Sequence, residues 1–316
     1  MKVRRALTAM IGAAALLGVS ACGGDDDPLA DDGGSGGGDK GSLVISGQDF
    51  TESEIMAEMY DQVLSAEGYD VEQKLVDTRD IYFDQLSKGG VDVVPDYLAG
   101  IGDYLNTQAN GPDAKPITTN SPDESLDAIA PLAEDAGITL LQPAEATNQN
   151  GYAVTEDFAK DNDLETLSDL GKLDQPITLA AASDCKDRMD CAKGLEKVYD
   201  IEIDKVLPLG FGGAPTRNSV KDGESDVGQF GTTDPTVEEA GLVFLEDDKG
   251  LQPAQNLTPA VNTEFLESHA DLADTLNELS AQLTTDELMK LNQQAGSERK
   301  AVPDVVTDYL NEAGLN

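Results

Sequence analysis

The chain has 316 residues, with 61 acidic against 21 basic side chains and a formal charge of −40. That balance argues against nucleic-acid binding and against docking of the folded surface on anionic lipid, because both need a basic footprint. With one histidine, His269, a His-based triad is nearly excluded and so is a multi-His metal site, while 39% hydrophobic residues suffice for a buried core.

Residues 1–22 read MKVRRALTAMIGAAALLGVSAC. Lys2, Arg4 and Arg5 precede an apolar stretch, Ala6 to Val19, too short to span a bilayer comfortably. Small residues directly before Cys22 resemble a bacterial lipobox. Residues 1–21 are therefore expected to be a lipoprotein signal peptide, with Cys22 the lipidated first residue of the mature chain. The competing readings are an ordinary signal peptide and an uncleaved helix. Residues 22–41 are rich in Gly and Asp and cannot repay the entropy of ordering, so they read as a flexible tether. This order places the body on the outer face of the cytoplasmic membrane, in contact with lipid only through Cys22.

The folded part begins near Ser42. LVISGQDF reads as a buried strand. Thr51 offers an N-cap with Glu54 three residues on, a capping box, and the helix after it carries Ile55, Met56, Met59, Tyr60, Val63 and Leu64 at helical spacing before Gly68. A strand over Val71–Val76, a helix over Ile81–Lys88 and a strand over Val91–Val94 follow. The same grammar returns: strand Gly151–Thr155, a helical turn from Thr166, strand Ile177–Ala181, helix Cys191–Tyr199, and strands Val206–Phe211 and Val227–Phe230. From Leu266 the chain is helical. Alternating strands and helices predict α/β layers on mostly parallel sheets.

Cys185 and Cys191 form an even pair in an exported chain, which favours a local disulfide; a metal site is the weaker alternative, since two further ligands are lacking. No nucleophile elbow, metal signature or phosphate loop is present. Leu86-Ser-Lys-Gly89-Gly-Val-Asp92-Val93 is echoed by Val220-Lys-Asp-Gly223-Glu-Ser-Asp226-Val227. Both read as helix end, glycine turn, then a strand opening with Asp-Val. Two such units suggest two lobes facing one cleft, the place where open parallel sheets bind ligands.

The run VISGQDFTESEIMAEMYDQVLSAEGYDV, then GGVDVVPDYLAG, NQNGYAVT, DCKDRMDCAKGLEKVY and GESDVGQFGTTDP resemble the substrate-binding proteins of osmoprotectant ABC importers. The resemblance spans Ser42 to Asn316. It implies a two-lobed, type II periplasmic-binding-protein-like clamp with two hinge crossovers, lobe I from 42–147 plus 251–316 and lobe II from 148–250. It further implies a monomer, no cofactor and no catalysis, a small quaternary-ammonium ligand such as glycine betaine, choline or carnitine, and delivery to a permease with a cytoplasmic ATPase.

A trimethylammonium group has no N–H to donate, so dispersion and cation–π attraction to aromatic faces must hold it. A carboxylate at the other end wants Arg or backbone N–H groups. Carried over by position, the resemblance implies ligand contacts from Gln48, Tyr97, Asn150 and Tyr152, and from Arg188 at the carboxylate. For Arg188 the competing reading is an ion pair with a neighbour such as Asp187 or Asp190. Two further cage tyrosines are expected in lobe II, where Arg217 and Gly231 stand instead. Phe230 offers an aromatic wall, and Phe211 is a weaker candidate for one that reads more readily as core. Arg217 either enters the pocket, which favours an anionic or zwitterionic metabolite over a quaternary amine, or points to solvent. Thr232, Thr233 and Asp234 form a polar strand-end loop that either faces the ligand or caps the next turn of chain. A carboxylate-based hydrolase and a purely structural role are the remaining alternatives.

Overall fold

The computed structural model describes residues 40–76 and 78–315. The expected signal peptide, Cys22 and residues 22–39 of the expected tether lie outside the described residues. Lys40 and Gly41 are tied to the body, since the Lys40 amide donates to Gly68 O and the Asp70 amide to Gly41 O. Among the described residues no helix is long and apolar enough to cross a membrane.

The first stretch runs β1 (Ser42–Gln48), α1 (Thr51–Ala66), β2 (Asp70–Val76), α2 (Arg79–Lys88), β3 (Val93–Tyr97), α3 (Leu98–Asn110), α4 (Pro122–Asp135) and β4 (Ile138–Leu140). The chain then crosses to a second sheet: β5 (Asn150–Thr155), α5 (Glu156–Asp161), α6 (Leu167–Leu170), β6 (Ile177–Ala181), α7 (Ala192–Tyr199), β7 (Ile203–Pro208), α8 (Ala214–Lys221), β8 (Val227–Gly231), α9 (Thr236–Glu239) and β9 (Leu242–Leu245). It returns through β10 (Leu257–Asn262) and ends in α10 (Thr263–Ser268), α11 (Asp271–Gln282), α12 (Thr285–Asn292) and α13 (Val302–Ala313).

The sheet orders are β2-β1-β3-β10-β4 and β7-β6-β8-β5-β9. Position by position the pattern is the same. Each sheet has a single strand antiparallel to its neighbours, β10 in the first and β5 in the second. Each is the strand entered directly after a crossover. A chain arriving from the other sheet enters at the carboxyl ends of the parallel strands and must run backwards through the layer. The echo noted in the sequence falls on β3 and β8, which hold the same place in the two orders. Gly89 and Gly223 both take φ +72, a left-handed conformation that glycine adopts without steric cost. The fold is thus the expected α/β clamp with two crossovers.

Both sheets are covered on both faces. In the first, Ile55, Met56, Met59 and Tyr60 of α1 pack with Leu272 and Leu276 of α11, Leu288 of α12 and Val306 and Leu310 of α13. The opposite face holds Phe83, Leu86, Leu98, Ile101 and Ile129 from α2, α3 and α4. The C-terminal helices therefore complete the core of the first lobe.

Two local expectations are corrected. The capping box at Thr51 does not form, because helix α1 has Phe50 as its N-cap and Thr51 as its first helical residue. Capping boxes form instead at Thr166–Asp169 and Thr284–Glu287. The strand expected over Val206–Phe211 stops at Pro208, which leaves Phe211 in a loop. Helices α3 and α4 and strands β4, β9 and β10 were not apparent from the sequence pattern.

Candidate functional site

The carboxyl ends of the parallel strands in both sheets converge on the crossovers. In the first lobe β1 ends at Gln48, and Asp49 and Phe50 lead into α1. Phe50 is extended (φ −152, ψ 157) and its carbonyl accepts the Glu54 amide at 2.9 Å. This entry sets Glu52 in the first helical turn, only 5% exposed. The positive end of the helix dipole suits an anion there.

Both Glu52 carboxylate oxygens accept hydrogen bonds. Oε1 accepts from Asn148 Nδ2 at 2.8 Å and from the Tyr97 hydroxyl, and Oε2 accepts from Asn292 Nδ2. The donors arrive from the first crossover, the end of β3 and the end of α12. All are neutral, and no salt bridge reaches Glu52 among the described residues. Burial, then the Glu52 charge and hydrogen bond, push the Tyr97 phenol well above its usual range, so it keeps its proton and donates.

The second lobe contributes the loops after β7 and β8. Gly210 and Gly212 take positive φ, and the turn they make presents Phe211, 51% exposed. Asp234 Oδ1 accepts from the Thr236 amide at 2.9 Å and its hydroxyl at 2.6 Å. Together these elements line an open cavity of about 610 Å³ whose lining includes Phe50, Glu52 and Asn292 from one lobe and Phe211, Thr233 and Asp234 from the other. Asn148 joins it to a second cavity of about 510 Å³, lined by Arg79, Tyr97, Asp103 and Gln255. Arg79 is held by Asp96, which accepts its Nε at 2.8 Å and Nη2 at 2.9 Å.

The sequence-derived residues divide between these cavities and the surrounding structure. Thr233 lines the first cavity and Tyr97 the second. Gln48 ends β1, half-buried, and lines neither. Asn150 donates to Asp190 Oδ2 at 3.1 Å and Gln252 Oε1 at 3.0 Å and accepts from Gln229 at 3.2 Å. Tyr152 is 1% exposed within the second lobe's core, its hydroxyl donating to Asp190 O at 2.9 Å. Thr232 ties the crossover, accepting from the Gln149 amide and donating to Thr147 O. Asn150, Tyr152 and Thr232 line a separate cavity of about 420 Å³ beside Phe244 and Met289.

Arg188 is engaged by Asp190, with Asp184 at 3.5 Å, so of its two readings the ion pair is the one formed. Arg217 ends on the Thr236 hydroxyl at 2.6 Å and does not line the first cavity. The two phenylalanines exchange roles. Phe230 is fully buried with Val220, Val237 and Leu242, whereas Phe211 lines the cavity. Phe50, Glu52, Asn148 and Asn292 were not singled out as ligand contacts by sequence reasoning, whereas Asp234 was grouped with Thr232 and Thr233 and lines the first cavity. The signal for Glu52 was an acidic residue on the buried side of an amphipathic first turn, next to Ser53 and Ile55, which are also buried.

Comparison with known proteins agrees with this architecture. Residues 41–312 match the model of the substrate binding domain of ABC-type glycine betaine transport systems. The carnitine transport binding protein OpuCC of Listeria monocytogenes is 28% identical over 211 residues, 66% of this chain and 68% of the relative. The glycine betaine-binding protein YehZ of Escherichia coli is 26% identical over 275 residues, 84% and 88% of the two chains. The crystal structure of a glycine betaine/carnitine/choline ABC transporter protein superposes with TM-score 0.74 at 21% identity, covering 86% of this chain and 99% of the other. Apo YehZ superposes with TM-score 0.73 at 23% identity, covering 87% and 99%. At these identities the superpositions establish the fold, while the matched model covers most of the sequence. The chain belongs to the family of substrate-binding domains of ABC-type glycine betaine transport systems, a family of transport components rather than enzymes.

Proposed function

We propose that this chain captures a small quaternary-ammonium osmolyte, such as glycine betaine, choline or carnitine, between its lobes and hands it unchanged to a membrane permease driven by a cytoplasmic ATPase. The lobes are 42–147 plus 251–316 and 148–250, and the chain acts as a monomer anchored outside the cytoplasmic membrane by lipid on Cys22. The observation that carries this reading is the 610 Å³ cavity lined from both lobes, with half-exposed aromatic rings at Phe50 and Phe211. Aromatic faces are what a methylated ammonium requires, since it cannot donate a hydrogen bond. Contacts to both lobes stabilise the closed clamp, so ligand binding and closure are one equilibrium. Of the sequence-derived residues, Thr233 and Asp234 line this cavity, and Tyr97 lines the adjoining one and donates to Glu52.

A thermal-shift titration of the purified chain with glycine betaine, choline, carnitine and the common amino acids tests the reading. A saturable rise with at least one quaternary amine is expected, because a ligand that binds only the native state stabilises it by mass action. A response confined to amino acids, or none at all, overturns it.

A further inference from the structure

Among trimethylammonium compounds the family's names include both a cation, choline, and zwitterions, glycine betaine and carnitine. These differ at the end remote from the methyl groups, where a zwitterion carries a carboxylate. A binding site that takes the zwitterion must neutralise that carboxylate with a cation or a cluster of N–H donors. A site for the cation has the opposite need.

The 610 Å³ cavity has two carboxylates in its lining, Glu52 and Asp234, and no lysine, arginine or histidine. Neither carboxylate has a salt-bridge partner among the described residues. Glu52 is also buried, which makes its charge the more consequential of the two. Its three donors, Tyr97, Asn148 and Asn292, hold the carboxylate in place without neutralising it. Neither of the two nearby arginines lines the cavity. Arg217 stands behind its wall, donating to the hydroxyl of Thr236, a lining residue that in turn donates to Asp234, and Arg79 lines the adjoining cavity with two of its nitrogens committed to Asp96. Phe50 and Phe211, one from each lobe, are 39% and 51% exposed. Large apolar rings held open to a cavity beside an unneutralised carboxylate are the two parts of a receptor for a cation that cannot donate hydrogen bonds.

We infer that this cavity selects a cationic trimethylammonium ligand over a zwitterionic one, with Glu52 as the counter-charge and Phe50 and Phe211 as the walls. The inference rests on the function proposed above and sharpens it. A ligand carboxylate in the same cavity meets two like charges and loses the advantage that the methyl groups gain.

Calorimetric titration of the full chain with choline, glycine betaine and the neutral choline isostere 3,3-dimethyl-1-butanol separates these contributions. Choline is expected to bind at least tenfold more tightly than either of the others. Glu52→Gln keeps the size of the side chain and removes its charge. It is expected to reduce choline affinity at least tenfold and bring the choline-to-betaine ratio towards one. Asp234→Asn, in a loop, should move the ratio in the same direction by a smaller factor and guards against misfolding of the Glu52 variant. Phe211→Ala, at an exposed position, should weaken choline and glycine betaine alike. Preference of the wild-type chain for glycine betaine, or a ratio unmoved by Glu52→Gln and Asp234→Asn, overturns the inference while leaving quaternary-ammonium capture intact. Absence of binding by any of these compounds and by carnitine overturns both.

Discussion

Asp92 and Asp226 make the same pair of hydrogen bonds in the two lobes. The Asp92 amide donates to Val44 O at 2.9 Å and its Oδ2 accepts from the Val44 amide at 2.8 Å. Asp226 does the same with Thr178, at 2.9 and 2.7 Å. Each aspartate stands immediately before the central strand of its sheet, β3 or β8, and ties it to the parallel strand beside it, β1 or β6. Sequence similarity, sheet order and local hydrogen bonding thus coincide at one place in each lobe.

The Asp92 carboxyl carries a pH signature. Burial raises it above 3.8, against the opposing Val44 hydrogen bond and the charge of His269. A carboxyl raised in the folded state contributes stability that is fully present below its unfolded value and is lost as pH rises through the folded value. Asp92→Asn removes that loss. The stability of the variant relative to wild type is expected to improve as pH rises from below 3.8 through the folded value. Urea unfolding at a series of pH values measures the difference, and a difference independent of pH counts against it.

Asp96 is almost fully buried and accepts from Arg79, from the Tyr82 hydroxyl at 2.6 Å and from the Tyr97 amide at 2.7 Å. Arg79 is half-buried and depends on this partner. Asp96→Ala is expected to lower stability by about 3 kcal/mol, the usual scale for leaving one member of a buried pair alone. The double variant Asp96→Leu with Arg79→Met should recover much of that loss. Unfolding free energies in a double-mutant cycle check both statements. Strict additivity of Asp96→Leu and Arg79→Met in their double variant would falsify the pairing.

Cys185 and Cys191 are bonded, with Cα atoms 5.2 Å apart. The closed loop contains Arg188 and Asp190, and Asp190 O accepts from both Tyr152 and Gln252. The bridge therefore holds a short loop against β5 and the returning crossover. Chain-entropy arguments give about 2 kcal/mol for a loop of this size. Reduction, or Cys185→Ser with Cys191→Ser, is expected to lower the melting temperature without abolishing the fold. A thermal scan with and without reductant measures it.

Much of this fold is legible in the sequence because the strands alternate with helices whose apolar faces have a clear period. Helix α1 shows it through Ile55, Met59 and Val63, and the glycine turns at Gly89 and Gly223 mark where strands begin. The site was less legible, for reasons visible at Phe211 and Phe230. Strand β8 is buried along its whole length, so Phe230 faces a core whichever side of the sheet it takes. Phe211 extends an apolar run, yet Pro208 ends the strand and two left-handed glycines turn the ring outwards. Local pattern identifies apolar residues but not which surface a loop will cover. Glu52 is hidden for a related reason. Its partners, at positions 97, 148 and 292, are remote in sequence and meet only when the third segment returns to the first lobe.

That return also creates a contact between the lobes. Asn292 closes helix α12, which packs in the first lobe, and its Nδ2 donates both to Glu52 and, at 3.2 Å, to Thr233 O of the second lobe. A hydrogen bond across the cleft exists only while the lobes are together, so it stabilises the closed arrangement without ligand. Asn292→Ala removes it, and one bond of this kind contributes about 1 kcal/mol, or roughly fivefold in an equilibrium. The ligand-free chain should therefore open more often, and ligand affinity should fall by up to the same factor, because closure must then be driven by the ligand. Small-angle scattering of the ligand-free variant should show a larger radius of gyration than wild type, reversed by saturating choline. An unchanged radius with unchanged affinity would mean that Asn292 only orients Glu52 and that the lobes are held together by other contacts.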